Sequence, residues 1–281
     1  MGAAISRGRG ALCAGSPVRL LMAGGALTIA VAAGAAVAGA LLAVLARTAG
    51  PPGVLIEALA LTTMLSLRDL VRAARRVQAA LRRGDLDGAR STVGRDLVSR
   101  PTARLGAGQV AAATIESVAE NLTDSVLAPV AFYLAFGLPG AFAYRAVNTA
   151  DSMIGYRHGA LEHFGKVAAR LDDALNFIPA RLAALAIVGA AALAGADVGR
   201  AWRTMLGQHA RTASPNAGWT MAAMAGALRV RLEKPEHYVV GAGPQPTADD
   251  ISTAVRIIMI AALMAMAVMA LSVMLLDLIR S

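Results

Sequence analysis

The chain has 281 residues, 57% of them hydrophobic and 16% charged, with a formal net charge of +9 and a mean hydropathy of +0.57. This composition places it in a membrane, and its single cysteine, Cys13, excludes an intramolecular disulfide and a cysteine-rich metal site. The positive charge does not mark a nucleic-acid binder: between Arg68 and Glu120 ten arginines face six acids with no aromatic residue for base stacking. Such clustering beside apolar segments is the pattern of a cytoplasmic loop, and residues 200–234 repeat it.

Residues 1–19 carry Arg7, Arg9 and Arg19 ahead of Leu20–Ala46, a stretch of 27 residues without a charge. That run exceeds the apolar core of a signal peptide, so an anchoring transmembrane helix is expected. After the Pro51-Pro52-Gly53 turn, Thr48–Leu67 is interrupted only by Glu57 and reads as the returning arm of a hairpin. Residues 69–104 read as helical and Arg-rich, broken at Arg83-Gly84-Asp85 and near Pro101. Ser125–Tyr144 is uncharged but holds Pro129 and a Gly137-Leu138-Pro139-Gly140 breaker, which predicts two half-helices or a re-entrant hairpin. Leu182–Ala196, with 15 uncharged residues, is short enough to be buried or re-entrant. A Pro/Gly-rich loop, Gly241–Pro246, leads to the last span, uncharged over the 20 residues Ile257–Leu276.

The expected fold is therefore all-α, a polytopic integral membrane protein with about four to six transmembrane or re-entrant helices and helical cytoplasmic loops. It reads as one membrane-embedded domain over 1–281, with an anchor region 1–56, a motif-bearing core 57–237 and a C-terminal transmembrane helix 254–277.

Four constellations carry chemistry. Glu116, Glu120 and Asp124 fall at i, i+4 and i+8, so a helix stacks three like charges along one stripe, with Asn121 beside them. Oxygen ligands of this type suit Mg²⁺, delivered alone or with a substrate; the alternative is a solvated acidic face with arginine counter-charges. Arg145, Asn148, Thr149 and Ser152 share a helical face with Asp151 at its edge. That face is either an anion clamp, since guanidinium grips phosphate or carboxylate with two parallel bonds, or a polar network tying helices together. Asp172 and Asp173, one turn from Asn176 and following Arg170, either hold a metal or form an acidic helix N-terminus. In Ser214-Pro215-Asn216-Ala217-Gly218-Trp219 a rigid loop enters a helix, whose N–H groups face an anion or are capped by Ser and Asn. His158, His163, His209 and His237 lack helical pairing and read as structural.

The strings ESVAENLTDSVLAP, GLPGAFAYRAVNTADSMIGY, FGKVAARLDDALNFIPARLAAL and SPNAGWTMAAMAGAL resemble the CobD/CbiB family of cobalamin biosynthesis, as does VGRDL at Val93–Leu97. The resemblance runs from about Glu57 to His237. The N-terminus departs from it, since residues 1–56 hold neither a Gly-Asp-Pro nor a His-Pro-Val stretch.

The resemblance implies an adenosylcobinamide-phosphate synthase, a carbon–nitrogen ligase. It would use ATP to join a carboxylate of adenosylcobyric acid to (R)-1-amino-2-propanol or its O-phosphate, at a plasma-membrane site facing the cytoplasm. On that reading Mg²⁺ is the cofactor, the lipid bilayer the surroundings and a homo-oligomer a compatible state. With no G-x-x-x-x-G-K-[ST] motif, and Lys166 and Lys234 the only lysines, the nucleotide would be held by arginines, metal and backbone groups. Glu116, Glu120, Asp124, Asp151, Asp172 and Asp173 are then the acid–base or metal candidates, Asp151 as a positioning group. Arg95, Arg145, Asn148 and Arg170 are the anion clamps, supported by Asn121, Ser152, Asn176 and Asn216. Two rival readings are a non-catalytic membrane regulator of the sister AmpE type and a small-molecule transporter with an intramembrane charge path.

Overall fold

A computed structural model describes residues 1–280, with side chains described through Leu275. In chain order it contains α1 (Gly2–Leu12), α2 (Pro17–Thr48), α3 (Gly53–Thr62), α4 (Leu67–Arg82), α5 (Leu86–Asp96), α6 (Ala107–Leu122) and a π-helical turn at Thr123–Leu127. There follow α7 (Ala128–Ile154), α8 (Leu161–Phe164), α9 (Lys166–Leu175), α10 (Phe177–Leu193), α11 (Val198–Gln208) with a 3₁₀ turn at His209–Arg211, and α12 (Ala217–Leu228). The strands β1 (Arg231–Lys234) and β2 (Tyr238–Gly241) form an antiparallel hairpin before α13 (Ala248–Arg280).

The contacts divide into two compact units: residues 1–65 with 128–176, and residues 66–127 with 177–281.

Three described stretches are long and apolar enough to cross a membrane: Pro17–Thr48, Ala107–Ile154 and Ala248–Leu275. Lys166–Leu175 with Phe177–Leu193 makes a fourth if taken as one broken span. The chain is thus a multi-pass helical membrane protein, at the lower end of the expected range of spans. The apolar segment Thr48–Leu67 does not supply a further one. Its helix α3 has 10 residues, about 15 Å of rise against a hydrocarbon core of about 30 Å. It ends where Thr62 and Thr63 turn their hydroxyls back onto the carbonyls of Leu59 and Ala60.

In the first unit α2 is the central rod, packed along α7 and against α3, α8 and α9. Glycines allow this closeness: a Cβ on Gly24 would collide with the Phe164 carbonyl, and one on Gly39 with the backbone of Leu138 and Pro139. The amphipathic α1 closes one end, with Ile5 buried beside Leu20, Ile154 and Phe164, and Cys13 packed at the edge as an apolar filler.

The expected break in α7 is present at Gly137, whose φ of 65° and ψ of −159° no helix accommodates. Phe132 and Tyr144 lie on opposite sides of it, yet their rings stack with centroids 5.1 Å apart. Twelve residues of straight helix would separate them by about 18 Å, so the two half-helices fold back on each other. Pro139 sits in the first turn of the second half, where its missing N–H costs little.

In the second unit α6 is the buried element, contacted by α4, α5, α12, α13 and β1. The Arg-rich α4 and α5 are separated as expected at Gly84, which has φ 75°, and Asp85 caps α5 by accepting from the Gly88 N–H at 2.9 Å. The hairpin was not anticipated: its strands are only four residues each, and the turn between them puts Glu236 at φ 64°.

Candidate functional site

The first unit gathers Arg145, Asn148, Asp172 and Asn176 of the predicted polar residues into one network built by α7 and α9. The buried Tyr144 hydroxyl donates to Asn176 Oδ1 at 2.9 Å. Asn176 Nδ2 in turn donates to Asp172 Oδ2 at 2.9 Å, and Asn148 Nδ2 donates to Asp172 Oδ1 at 3.2 Å. Arg145 completes the chain by donating to Asn148 Oδ1 at 3.2 Å. Helical spacing explains the convergence: Tyr144 and Asn148 are one turn apart on α7, and Asp172 and Asn176 one turn apart at the end of α9. Each amide is used at both ends, which fixes its orientation.

Asp151, half-buried on the same half-helix, lies within electrostatic reach of Asp172, Asp173 and Arg157. Thr149 and Ser152 share the face, but each hydroxyl donates to the carbonyl four residues earlier, Arg145 and Asn148 respectively. Ser152 was predicted to bind substrate; the structure spends its donor on the helix. Arg170 is exposed and lines a pocket with Arg157, Lys166 and Asp173.

The second unit holds the carboxylate stripe: Glu116 and Glu120 lie one turn apart on α6, and Asp124 falls in the π-helical turn that follows. Glu116 is 5% exposed, and Arg100 donates to its Oε2 at 3.3 Å. Its Oε1 is buried without a hydrogen-bond partner of acceptable geometry, although the Tyr238 hydroxyl and the Lys234 ammonium are close enough to act on the carboxyl. Burial first, and then the negative charges of Glu116 and Glu120, hold the Tyr238 hydroxyl protonated well above the usual phenol range. Asn121 donates to the Ser117 carbonyl and hydroxyl, and together they line a second pocket with Ser66, Ser125, Arg76 and Asp96.

Two further predicted residues are occupied. Arg95 donates from Nε and Nη2 to both oxygens of Asp96 at 2.9 and 3.1 Å, so its fork is engaged by its neighbour rather than offered to a ligand. Asn216 does not cap α12; Ser214 does, accepting from the N–H groups of Asn216 and Ala217. Asn216 Oδ1 instead accepts from Arg181, whose guanidinium lies 3.6 Å over the Phe177 ring and 4.8 Å from that of Trp219.

Among the described residues no group of three or more carboxylate, imidazole or thiolate side chains is placed to hold a metal ion. Asp172 already accepts from two amides, and Glu116 accepts from Arg100. What the carboxylates can offer is the one or two oxygens with which Mg²⁺ is held when it arrives on a phosphate.

Sequence reasoning missed Tyr144, Arg100, Tyr238, Arg157 and Lys166. Tyr144 was visible in principle, four residues before Asn148. Arg100 and Arg157 lie in loops, Tyr238 in the hairpin and Lys166 at a helix start, where no helical spacing ties them to the predicted residues.

A helical membrane protein with a part-buried amide, carboxylate and guanidinium network is the class that fold and site define. Compared with known proteins, residues 1–275 match the family model described as CobD/Cbib protein, which includes the divergent N-terminus. The chain belongs to this family.

The chain is 46% identical over 193 residues to "Cobalamin biosynthesis protein CobD" of Dehalococcoides mccartyi, covering 69% of this chain and 62% of the relative. It is 45% identical over 191 residues to "Probable cobalamin biosynthesis protein CobD" of Methanothermobacter thermautotrophicus, covering 68% and 64%. Against "Cobalamin biosynthesis protein CobD" of Klebsiella pneumoniae it is 40% identical over 222 residues, covering 76% and 69%. The chain thus spans somewhat under two thirds of the length of the first two. No solved structure matches it.

Proposed function

We propose that the chain catalyses the amide-forming step of cobalamin biosynthesis, in which a carboxylate of adenosylcobyric acid is joined to 1-amino-2-propanol or its O-phosphate at the expense of ATP. The observation that carries this reading is the continuous hydrogen-bonded network Arg145–Asn148–Asp172–Asn176–Tyr144. It falls on the two family-like strings YRAVNTADSM and ARLDDALNF.

A carboxylate is a poor electrophile, so ATP would first convert it to an acyl phosphate, which the amine attacks with loss of phosphate. Arg145, oriented by Asn148, would grip a phosphate or carboxylate oxygen with its planar guanidinium fork. Asp172 keeps both amides aligned, and Asp151 would take the proton that the attacking ammonium must lose. Mg²⁺ bound to the nucleotide would meet Asp151 and Asp173 and neutralise phosphoryl charge. The active site would face the cytoplasm, where the nucleotide is.

The test is synthesis by the purified full chain, with ATP and amino alcohol varied separately for wild type, Arg145→Lys and Arg145→Ala. Lysine keeps the charge but loses the planar donor pair, so both variants should lose about a hundredfold or more in kcat/KM. Wild-type constants for Arg145→Lys would assign Arg145 to the scaffold. Failure of the gene to restore a cobalamin auxotroph fed the amino alcohol would overturn the reading as a whole.

A further inference from the structure

Beyond the network, the first unit contains a pocket of about 230 Å³ at the junction of α7, α8 and α9. Its lining includes Arg157, Lys166 and Arg170, with Glu162 and Asp173 as the acids. Backbone geometry builds it. A Cβ at Gly165 would collide with the Ile154 carbonyl, so the start of α9 is seated directly on the end of α7. That contact brings Lys166, the first residue of α9, beside Gly155, Tyr156 and Arg157.

The three cations are held near one another although like charges repel. Among the described residues none of them makes an ion pair within 4 Å or a side-chain hydrogen bond. Asp173 feels both Arg170 and Arg157, which leaves an excess of positive charge at the rim. The N-terminus of the ten-residue α9 has no side-chain cap and adds its positive pole to the same place.

We propose that this pocket binds a phosphate group, with Arg157 and Lys166 joining Arg170 as its donors. Two arginines give paired N–H donors in fixed forks, and the lysine gives a mobile point charge, a combination matched to a tetrahedral dianion. The volume is below that of pockets that enclose drug-sized ligands. The pocket therefore takes a phosphate-sized group, either the terminal part of a nucleotide or a small phosphate ester, and not an entire nucleotide. Glu162 and Asp173 keep the site from holding anions indiscriminately and favour a ligand that also carries a cation. The inference rests on the proposed reaction only for the identity of these two sources.

Calorimetric titration of the full chain in detergent decides it, with inorganic phosphate, ATP, O-phosphorylated 1-amino-2-propanol and the unphosphorylated amino alcohol as probes. Arg170→Gln and Lys166→Gln should each weaken the phosphorylated ligand about tenfold or more. Glu162→Gln should tighten binding of inorganic phosphate by removing a repulsive charge, a change that general damage to the fold would not produce. The source is read from whichever of ATP or the amino-alcohol phosphate loses affinity in the variants. Unchanged affinity for every phosphate-bearing probe in both glutamine variants overturns the proposal. A wild-type protein that makes no amide, yet binds phosphate in a manner dependent on Lys166 and Arg170, sinks the reaction and leaves the site standing.

Discussion

In the first unit five polar side chains pass hydrogen bonds from one to the next, and both oxygens of the central carboxylate are satisfied by amides. In the second, Glu116 is more deeply hidden and asymmetrically treated, with one oxygen on Arg100 and the other making no hydrogen bond of acceptable geometry although Tyr238 and Lys234 are close. A network of this kind fixes geometry, because moving any of its three inner members disturbs two others. A half-satisfied buried carboxylate costs stability where it stands, so what retains it is more readily sought in binding or proton transfer than in folding.

The sharpest way to break that contrast is Asp172→Ala. It removes the acceptor of two amides at once and should destabilise the protein by about 3 kcal/mol, read as a shift in unfolding midpoint in detergent. Tyr144→Phe deletes one bond at the end of the same chain and leaves Asn176 Oδ1 short of a donor, at about 1 kcal/mol. Glu116→Gln should cost less than about 1 kcal/mol, since the lost pairing with Arg100 is offset by relief of the unpaired anionic oxygen. If Glu116→Gln proves more damaging than Asp172→Ala, the two regions have been assigned the wrong way round.

The smallest effect concerns Asp96 on α5, whose carboxyl is held below its ordinary value of 3.8, chiefly by the hydrogen bond from Arg95 and further by Arg76. A lowered native pKa means that the unfolded chain binds the proton more readily. The contribution of Asp96 is therefore present above pH 3.8 and fades as the pH falls through the lower native value. For so exposed a pairing the loss is a few tenths of a kcal/mol. A pH series of melting curves for wild type and Asp96→Asn should converge at the acidic end and separate slightly above it.

The long apolar runs made α2 and α13 legible, and the Gly137-Leu138-Pro139-Gly140 string located the break in α7, because these signals are local. The same logic misled at Thr48–Leu67, where composition is apolar enough for a span but two threonines end the helix early. The π-helical turn that holds Asp124 carries no distinctive residue type, so nothing in the sequence signalled it. Four-residue strands gave the hairpin too short an alternation to register. In the site, residues related by one helical turn were found: Arg145 with Asn148, and Asp172 with Asn176. Arg100 and Tyr238 were not, since the helix that holds Glu116 says nothing about which loop will supply its counter-charge.

The two bare patches on α2 have a consequence for assembly. Gly24 and Gly39 are 15 residues apart, about four turns, so they lie within roughly 60° of each other around the helix. One receives the carbonyl of Phe164 and the other the backbone at the break in α7. Small residues at contact points are what let helices dock closely once inserted. Together the two notches work like a key with two cuts. A helix that slid by one turn, or rolled by a third, would meet a side chain at one notch even if the other still fitted. Only one alignment therefore lets Leu138 and Phe164 seat simultaneously. The arrangement that brings Tyr144 and Asn148 opposite Asp172 is thus selected by two absences of a methyl group on a helix that contributes no polar atom to the network.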